Sequence, residues 1–310
     1  MLVLLSNIMP TPTAFRIFKE LKHPKSISEI AHLFGLDHST ISTSVSSLVE
    51  EGLAQKHREG KKTLIRRSDT LHARSLEDFM KEYPRLPIEN LFSYSSMEIL
   101  SMLMHPHNIT DIAAMTALNR HTVSEALSKL SKYGLILKEK GKFVINKRHR
   151  QLADFINSYW RHYANQRLRA EDAVMLWQRG PEFLFKTQIE AGKSIERDDI
   201  HASAITVFSR YGLRLITGTR YYFHTQRKMT IEDHIIHTIL IDRQNSIYNS
   251  YAAALIMRSG AKTLPNAARI YEISEHVDSL LEYVMTKKKN SNFVLPWNEF
   301  MDIFDSIKVS

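Results

Sequence analysis

An internal repeat constrains this chain more than any other feature of its sequence. Residues 17–56 align with residues 99–138 without a gap, at a constant offset of 82 positions (99 minus 17). The identical pairs are Ile17 and Ile99, Leu21 and Leu103, His23 and His105, Pro24 and Pro106, Ile27 and Ile109, Ile30 and Ile112, Ala31 and Ala113, Leu36 and Leu118, Thr40 and Thr122, Ser42 and Ser124, Ser46 and Ser128, Leu48 and Leu130, Gly52 and Gly134, Leu53 and Leu135, and Lys56 and Lys138. Self-similarity at one spacing indicates a supersecondary unit that occurs twice.

Each copy contains an amphipathic helix that ends at a glycine. In the second copy, Val123, Leu127 and Leu130 recur at helical spacing, and Gly134 supplies the left-handed cap. In the first copy, the helix begins after Asp37 and ends at Gly52, with one apolar stripe facing inward. The first copy has two further predicted helices. One runs from Thr13 to His23, and the next begins at a capping box of Ser26 and Glu29, which makes three helices in this copy.

A short basic hairpin follows the glycine in both copies. The second copy has two alternating runs, 135–138 and 143–146, joined by Lys140, Gly141 and Lys142. The first copy has the strongly basic segment 56–62, with Arg66 and Arg67 after it. The repeated unit is therefore helix, glycine stop and basic hairpin.

This unit resembles the recognition helix and wing of winged helix-turn-helix domains in the broad MarR/ArsR-like style. The resemblance implies two tandem DNA-binding domains, with the third helix in the major groove and the wing on phosphates. Many members of these families carry an arginine shortly after the central Thr or Ser of that helix. Thr43 and Glu125 occupy that place here. The departure argues against direct base reading by the first helix and leaves open that the first domain binds protein only.

The candidate DNA-binding residues lie on the outer faces of the two recognition helices and on the two wings. The helix residues are His38, Ser39, Ser42, Thr43, Ser46, Asn119, Arg120, His121, Ser124 and Lys129. The wing residues are Arg58, Lys61, Lys62, Arg66, Lys138, Lys140, Lys142 and Arg148. A charged turn is usually a solvated surface, but a wing lies where phosphates pass, so phosphate contact is the favoured interpretation.

Composition restricts the function in the same direction. The formal net charge of +9 favours a polyanionic partner, most simply nucleic acid. Cysteine is absent, which excludes a disulfide framework, a thiolate nucleophile and a zinc ribbon. The apolar start MLVLLSNIMP is too short for a signal peptide and is expected to pack on the first domain, or to be exchanged in a dimer. No membrane span is expected, and the predicted location is the cytoplasm.

The predicted fold is mainly α with small β (α+β): two tandem winged helices followed by a mixed α+β C-terminal domain. The expected divisions are the first winged helix (1–69), a connecting helix and linker (70–94), the second winged helix (95–148), a long linking helix (149–171) and the C-terminal domain (172–310). Phe155, Tyr159, Trp160 and Tyr163 give the linking helix a wide aromatic surface. That surface predicts either packing within the chain or a dimer interface.

The C-terminal region predicts a β-hairpin over 212–225 that turns at Gly218, then several helices. Thr230 is expected to cap the first of them, with Asp233 three residues later. The order of Ser203-Ala204, Tyr211-Gly212-Leu213, Tyr221-Tyr222 and His237-Thr238 resembles the C-terminal domain of AbiEi-like antitoxin and transcription-regulator proteins. This resemblance implies an α+β module joined to DNA-binding domains, without specifying an effector.

No catalytic or metal site is predicted. His234 and His237 lie three positions apart beside Asp233, but a third ligand is missing and the spacing is not that of a zincin helix. No Gly-rich phosphate loop is present. The paired Asp198 and Asp199 lack the Gly-Ser turn of a nucleotidyltransferase and are expected to cap a helix. No enzyme activity, metal or cofactor is therefore expected.

The favoured function is sequence-specific binding of double-stranded DNA, by a transcriptional regulator of the repressor type or an antitoxin-type autoregulator. The alternative is a replication-origin-binding or architectural protein that uses the same domains to assemble a complex. The chain is expected to act as a homodimer, because two-fold symmetry suits paired half-sites.

Overall fold

The computed structural model describes residues 9–169, 172–188 and 195–309 of the chain. The fold is mixed α+β, with more helix than strand, and it divides into two compact units. Unit 1 is Met1–Asn165 and unit 2 is Gln166–Ser310. Residues 1–8 of the predicted N-terminal packing segment, 1–10, lie outside the described residues.

The first half of unit 1 contains three helices and a two-stranded antiparallel sheet. These elements are α1 (Pro12–Glu20), α2 (Ile27–Phe34), α3 (His38–Glu50), β1 (Ala54–Glu59) and β2 (Lys62–Arg67). Local signals set the helix boundaries. The predicted capping box is present before α2, where Glu29 N donates to Ser26 Oγ at 3.2 Å and Ser26 N donates to Glu29 Oε2 at 2.6 Å.

The second half of unit 1 has the same order of elements. They are α6 (Tyr94–Met102), α7 (Ile109–Thr116), α8 (Arg120–Lys132), β3 (Ile136–Glu139) and β4 (Lys142–Ile145). A backbone bridge recurs at the equivalent place in each half: Lys25 pairs with Ile65 in the first, and His107 pairs with Phe143 in the second. Lys25 and His107 are 82 positions apart, so the repeat in sequence is also a repeat in three dimensions.

Three further helices complete unit 1: α4 (Leu71–Glu82), α5 (Ile88–Leu91) and α9 (Arg150–Arg169), the last of which continues past the end of the unit. The linking helix predicted over 149–171 is therefore present over residues 150–169, and residues 170 and 171 lie outside the described residues. Its aromatic stripe is buried, with Tyr159 fully covered and Trp160 only 2% exposed. The stripe is thus packed within this chain, and these side chains cannot form the surface of a dimer.

In its described residues, unit 2 combines an antiparallel four-stranded sheet with five α-helices that follow the sheet. The strands are β5 (Val174–Arg179), β6 (Glu182–Thr187), β7 (Ile200–Ala202) and β8 (Arg220–His224), in the spatial order β5-β6-β8-β7. The helices are α10 (Ile231–Ile241), α11 (Ser246–Ser259), α12 (Leu264–Ile270), α13 (Ser274–Thr286) and α14 (Trp297–Ile307). The capping box of Thr230 and Asp233 predicted for α10 is present.

The hairpin predicted over 212–225 is wrong. Only its second arm is a strand, β8, and that strand pairs with β6 and β7 instead of with the preceding residues. Residues Ala204–Tyr211 form a 3-10 helix that ends at Gly212, and Leu213 bridges to Lys308. The β-branched and aromatic composition identified one strand, but its partners come from elsewhere in the chain.

A second local prediction also fails in unit 2. Asp199 does not cap a helix but precedes β7, where it accepts hydrogen bonds from His224 Nε2 at 3.2 Å and Arg197 Nε at 3.1 Å. The hydrogen bond from His224 is the main cause that lowers the pKa of Asp199 well below its usual range. Among the helices that the structure describes, none has the length and apolar composition needed to cross a membrane.

Candidate functional site

The third helix of each repeat begins with a side-chain cap. Asp37 Oδ1 accepts from Thr40 N at 2.8 Å before α3, and Asn119 Oδ1 accepts from Thr122 N at 2.8 Å before α8. Hydrogen bonds from Thr40, and then Ser39, lower the pKa of Asp37 well below its usual range. The predicted site residues Ser39 and Asn119 therefore already have local partners.

The outer face of α3 is polar but carries no cation. His38, Ser39 and Thr43 are exposed, whereas Ser42 and Ser46 are half-buried. Thr43 Oγ1 donates to the backbone oxygen of Ser39 at 3.0 Å. This face therefore offers hydroxyl groups and one imidazole to a partner.

The outer face of α8 has a different chemistry. Arg120, His121 and Ser124 are exposed, and His121 Nδ1 lies 3.3 Å from Glu125 Oε2. Lys129 donates a hydrogen bond to the backbone oxygen of Asn90, so its ammonium group faces the connection between the repeats. Arg120 forms no ion pair with any residue that the structure describes, and it is the cation most available on this face.

The first hairpin places its cations at an exposed tip. Glu59 pairs with Lys62 across the strands, and Gly60 takes a positive φ of 59° in the loop between them. Arg58, Lys61 and Lys62 are exposed and have no ion-pair partner within residues 9–169. Arg66 is less available, because its guanidinium lies 3.6 Å from Asp69.

The second hairpin also has a two-residue loop and exposed cations. Lys140 and Gly141 both have positive φ, of 48° and 80°, as a type I′ hairpin turn requires. Lys138, Lys142 and Arg148 are exposed, and the Lys138 ammonium lies 5.4 Å from the centroid of the Phe143 ring. Lys140, Lys142 and Arg148 form no ion pair with the described residues of this unit.

The excess of positive charge lies mainly in unit 1. That unit contains 23 Lys and Arg residues against 16 Asp and Glu, whereas unit 2 contains 19 against 17. The two hairpin regions account for most of the difference: residues 54–69 contain six cations and two acids, and residues 136–150 contain six cations and one acid. A polyanion would therefore be attracted to the hairpins of unit 1.

Unit 2 contains a buried network of charged groups that sequence reasoning missed. Arg227 donates to both carboxylate oxygens of Asp233, at 2.9 and 2.8 Å, and to Glu182 Oε1 at 3.0 Å. Thr225 Oγ1 also donates to Glu182 Oε1, at 2.5 Å. Burial alone would raise the pKa of Asp233, but the hydrogen bonds from Arg227 outweigh it and the pKa is lowered below the usual range.

The network continues through four uncharged groups. Tyr271 donates to Asp233 Oδ1 at 2.9 Å, so its oxygen must accept from His237 Nε2 at 2.9 Å. Ser203 Oγ then donates to His237 Nδ1 at 2.7 Å and accepts from His234 Nδ1 at 3.1 Å. Burial lowers the pKa of His237 to about 3 and that of His234 to about 4, so both imidazoles are neutral near pH 7.

The centre of this network is buried. Ser203 and His237 are completely buried, so no substrate in solution can reach the Ser–His pair. Arg179 lies beside the network, with its guanidinium carbon 5.3 Å from the ring centroids of both Trp177 and Tyr271. Across the described ranges, no group of three or more His, Asp or Glu side chains is arranged to hold a metal ion. The pair of histidines singled out from the sequence belongs to this network.

Sequence signals could find only part of the network. The capping box and the spacing of His234 and His237 are local, and both were visible. The contacts of Arg227 with Glu182 and Tyr271 join residues 45 and 44 positions apart, and nothing near those residues indicates them. The pairing of β6 with β8 brings Glu182 close to Arg227.

Comparison with known proteins adds a match for unit 2. Residues 197–309 match a family model described as HVO_2833_C, C-terminal. The matched segment contains Ser203, Arg227, Asp233, His237 and Tyr271, whereas Glu182 precedes it. No curated protein matches the chain. The chain is thus similar to this family over its C-terminal third, and the description of the family names no ligand or activity.

Proposed function

We propose that this chain is a sequence-specific double-stranded DNA-binding protein, and that unit 1 consists of two tandem winged helices of the MarR/ArsR-like type. The observation that carries the proposal is the repeated unit itself. Three helices and a hairpin occur twice in the same order, with the same bridge at Lys25 and His107. A merely solvated hairpin has no reason to recur with a polar-faced helix directly before it.

The exposed cations support the same proposal. Lys61, Lys62, Lys140 and Lys142 project from the hairpin tips without ion-pair partners among the described residues. Lysine side chains in this position can reach DNA phosphates, and phosphate contacts supply most of the affinity for DNA. Arg120 is the best placed residue for a base edge, because an exposed guanidinium can form a bidentate contact with guanine.

Binding to defined DNA tests this proposal. Genomic footprinting of the native protein should yield a recurring sequence, and fluorescence anisotropy should show that this duplex binds at least about a thousandfold more tightly than random duplex DNA. A regulator should occupy promoters. Equal affinity for all duplexes would remove sequence specificity from the proposal, and no affinity at moderate salt would contradict it.

A second candidate function is favoured by the uncharged face of α3. A domain that offers hydroxyl groups but no Lys or Arg can serve to assemble a complex, as in a replication-origin or architectural protein. Under this alternative, footprints should extend with protein concentration and cluster at one genomic locus. A regulator should instead give short footprints of constant length at many promoters.

We also propose that the protein acts as a homodimer. The dimer interface could lie on α9 or on the C-terminal module. Because the aromatic stripe of α9 is buried within the chain, we place the interface on unit 2. Light scattering should give a mass of twice 35.9 kDa at micromolar concentration. A mass of one chain that does not change when DNA is added would contradict the dimer.

A further inference from the structure

The helices that follow the two hairpins contact the repeats in a related way. After the first hairpin, His72 in α4 donates from Nε2 to the backbone oxygen of Glu51 at 2.8 Å. After the second hairpin, His149 donates from Nε2 to the backbone oxygen of Gly134 at 3.0 Å. In each repeat a histidine at the start of the next helix therefore holds the C-terminal end of the third helix.

The two helices differ in length. Helix α4 contains 12 residues, whereas α9 contains 20. The additional length of α9 carries it back to the first repeat, where Tyr159 donates to Glu51 Oε2 at 2.7 Å. One turn further, the His162 ring packs on His72, with ring centroids 4.5 Å apart.

The contact of α9 with the first repeat is close as well as polar. A Cβ atom added to Gly52 would lie 2.7 Å from the His162 ring, which is closer than real side chains approach. Gly52 and Gly134 are equivalent positions of the repeat. One helix therefore contacts the stop glycine of both repeats, at points about 20 Å apart along its axis.

The same helix is fixed to the second repeat along its middle. Trp160 Nε1 donates to the backbone oxygen of Met97 in α6 at 3.3 Å. Phe155 packs on Phe92, in the connection between the repeats, with ring centroids 5.6 Å apart. These side chains are buried. Helix α9 thus contacts both repeats through buried side chains and hydrogen bonds, which leaves little freedom between them.

We propose that α9 is a spacer that holds the third helices and hairpins of the two repeats at one fixed separation, so that both meet a single DNA molecule together. Tyr159 and His162 are then positioning residues: they act through the end of α3 and do not touch DNA. The part of this proposal that concerns DNA rests on the proposed function, but the fixed separation does not.

The separation can be measured without DNA, because the chain contains no cysteine. Spin labels on His57→Cys and Glu139→Cys would mark exposed, equivalent positions of the two hairpins. Pulsed electron spin resonance on the full chain should give one narrow distance distribution. The double variant Tyr159→Phe, His162→Ala should lose this single peak, and Arg161→Ala, on the exposed side of α9, should keep it.

A second variant keeps the test decisive if the double variant does not fold by circular dichroism. Gly52→Ala places its Cβ against the His162 ring and should also broaden or split the peak. A single narrow peak in folded Gly52→Ala and in the folded double variant would overturn the proposal, as would a broad distribution in the native chain.

Hydroxyl-radical footprinting on the preferred duplex gives the functional readout. The native chain should protect two stretches of backbone at a constant separation, and the double variant should lose that constancy while still protecting DNA. Two stretches at the native separation in the variant would overturn the role of α9 in DNA binding. No protection by the native chain would instead contradict the proposed function, and the spin-label distances would still decide whether α9 fixes the separation.

Discussion

The two units of this protein contain similar numbers of charged residues but place them in opposite ways. Unit 1 exposes its cations at the tips of two hairpins, where Lys61 and Lys142 have no ion-pair partner among the described residues. Unit 2 buries Arg227 between two carboxylates. Exposed cations stay hydrated, so they do not lower the stability of the fold and are available to a polyanion. Buried charges are tolerated only when each is paired and hydrogen-bonded.

Basic side chains therefore have two roles in this protein, and burial separates the two roles. An exposed lysine or arginine contributes little to folding, since a surface ion pair supplies at most about 1 kcal/mol. A buried arginine contributes to the choice of fold, because its removal leaves charges without compensation. Variants should therefore affect stability in unit 2 and affinity in unit 1.

The largest expected effect is on the stability of unit 2. Arg227→Met should lower the free energy of unfolding by about 3–5 kcal/mol, because Glu182 and Asp233 would stay buried without their partner. Denaturant unfolding measures this change. The matched control is Arg210→Met, since Arg210 forms an exposed pair with Glu196 and should cost less than about 1 kcal/mol. Equal midpoints for the two variants would contradict the buried network.

Acidification should produce the next largest effect, again mainly in unit 2. Burial lowers the folded-state pKa of His237 to about 3, and that of His234 and His276 to about 4, below the unfolded value near 6.5. The unfolded state therefore binds protons first as the pH falls below 6.5. The stability that these histidines contribute is fully present above pH 6.5 and should decline below it, by about 1.4 kcal/mol per pH unit for each of the buried His234 and His237. The half-buried His276 should contribute less, because solvent screens it.

Unit 1 should respond less to the same acidification. Among the described histidines of unit 1 with a shifted pKa, burial lowers the pKa of His72 to about 4. Denaturant unfolding between pH 7 and 5, followed by tryptophan fluorescence and circular dichroism, should show the steeper dependence in unit 2. In His237→Gln, the free energy of unfolding should fall less steeply with pH, by about 1.4 kcal/mol per pH unit. A slope equal to that of the native chain would contradict a buried neutral His237.

The sequence predicted unit 1 better than unit 2, for a physical reason. Helix boundaries in the repeats depend on local signals, such as the capping box of Ser26 and Glu29 and the turn at Gly141, and the two copies supported each other. Strand β8 in unit 2 depends on partners far away in sequence, and a local hairpin was predicted in its place. Long-range pairing leaves no short-range pattern.

The candidate site was predictable to a similar degree. Exposure of the hairpin lysines and of Arg120 follows from periodicity and turn position, so their exposure was predictable. The engagement of Lys129 with Asn90 was not predictable, because the partner is a backbone oxygen 39 positions earlier. The sequence left open whether Trp160 packs within the chain or in a dimer interface, because the backbone oxygen of Met97 that it contacts lies 63 positions earlier.

A smaller effect should separate the two repeats within unit 1. Arg120→Ala should weaken binding to the preferred duplex by about 1–3 kcal/mol and reduce discrimination against random DNA. His38 occupies the equivalent position of the first repeat, and His38→Ala should have less effect, because α3 carries no cation. Equal losses on preferred and random DNA would make Arg120 a phosphate contact, and no loss would remove α8 from the interface.

A comparison of exposed lysines in the two units tests whether the hairpins of unit 1 hold DNA. The triple variant Lys62→Ala, Lys140→Ala, Lys142→Ala and the triple variant Lys287→Ala, Lys288→Ala, Lys289→Ala each remove three positive charges from exposed positions. Anisotropy titrations over a range of salt concentration give the slope of log K against log salt for each. The hairpin variant should lose about three units of slope for duplex DNA of any sequence, whereas the unit 2 variant should keep the native slope. Equal slopes in the native chain and both variants would contradict the claim that the hairpins of unit 1 hold DNA.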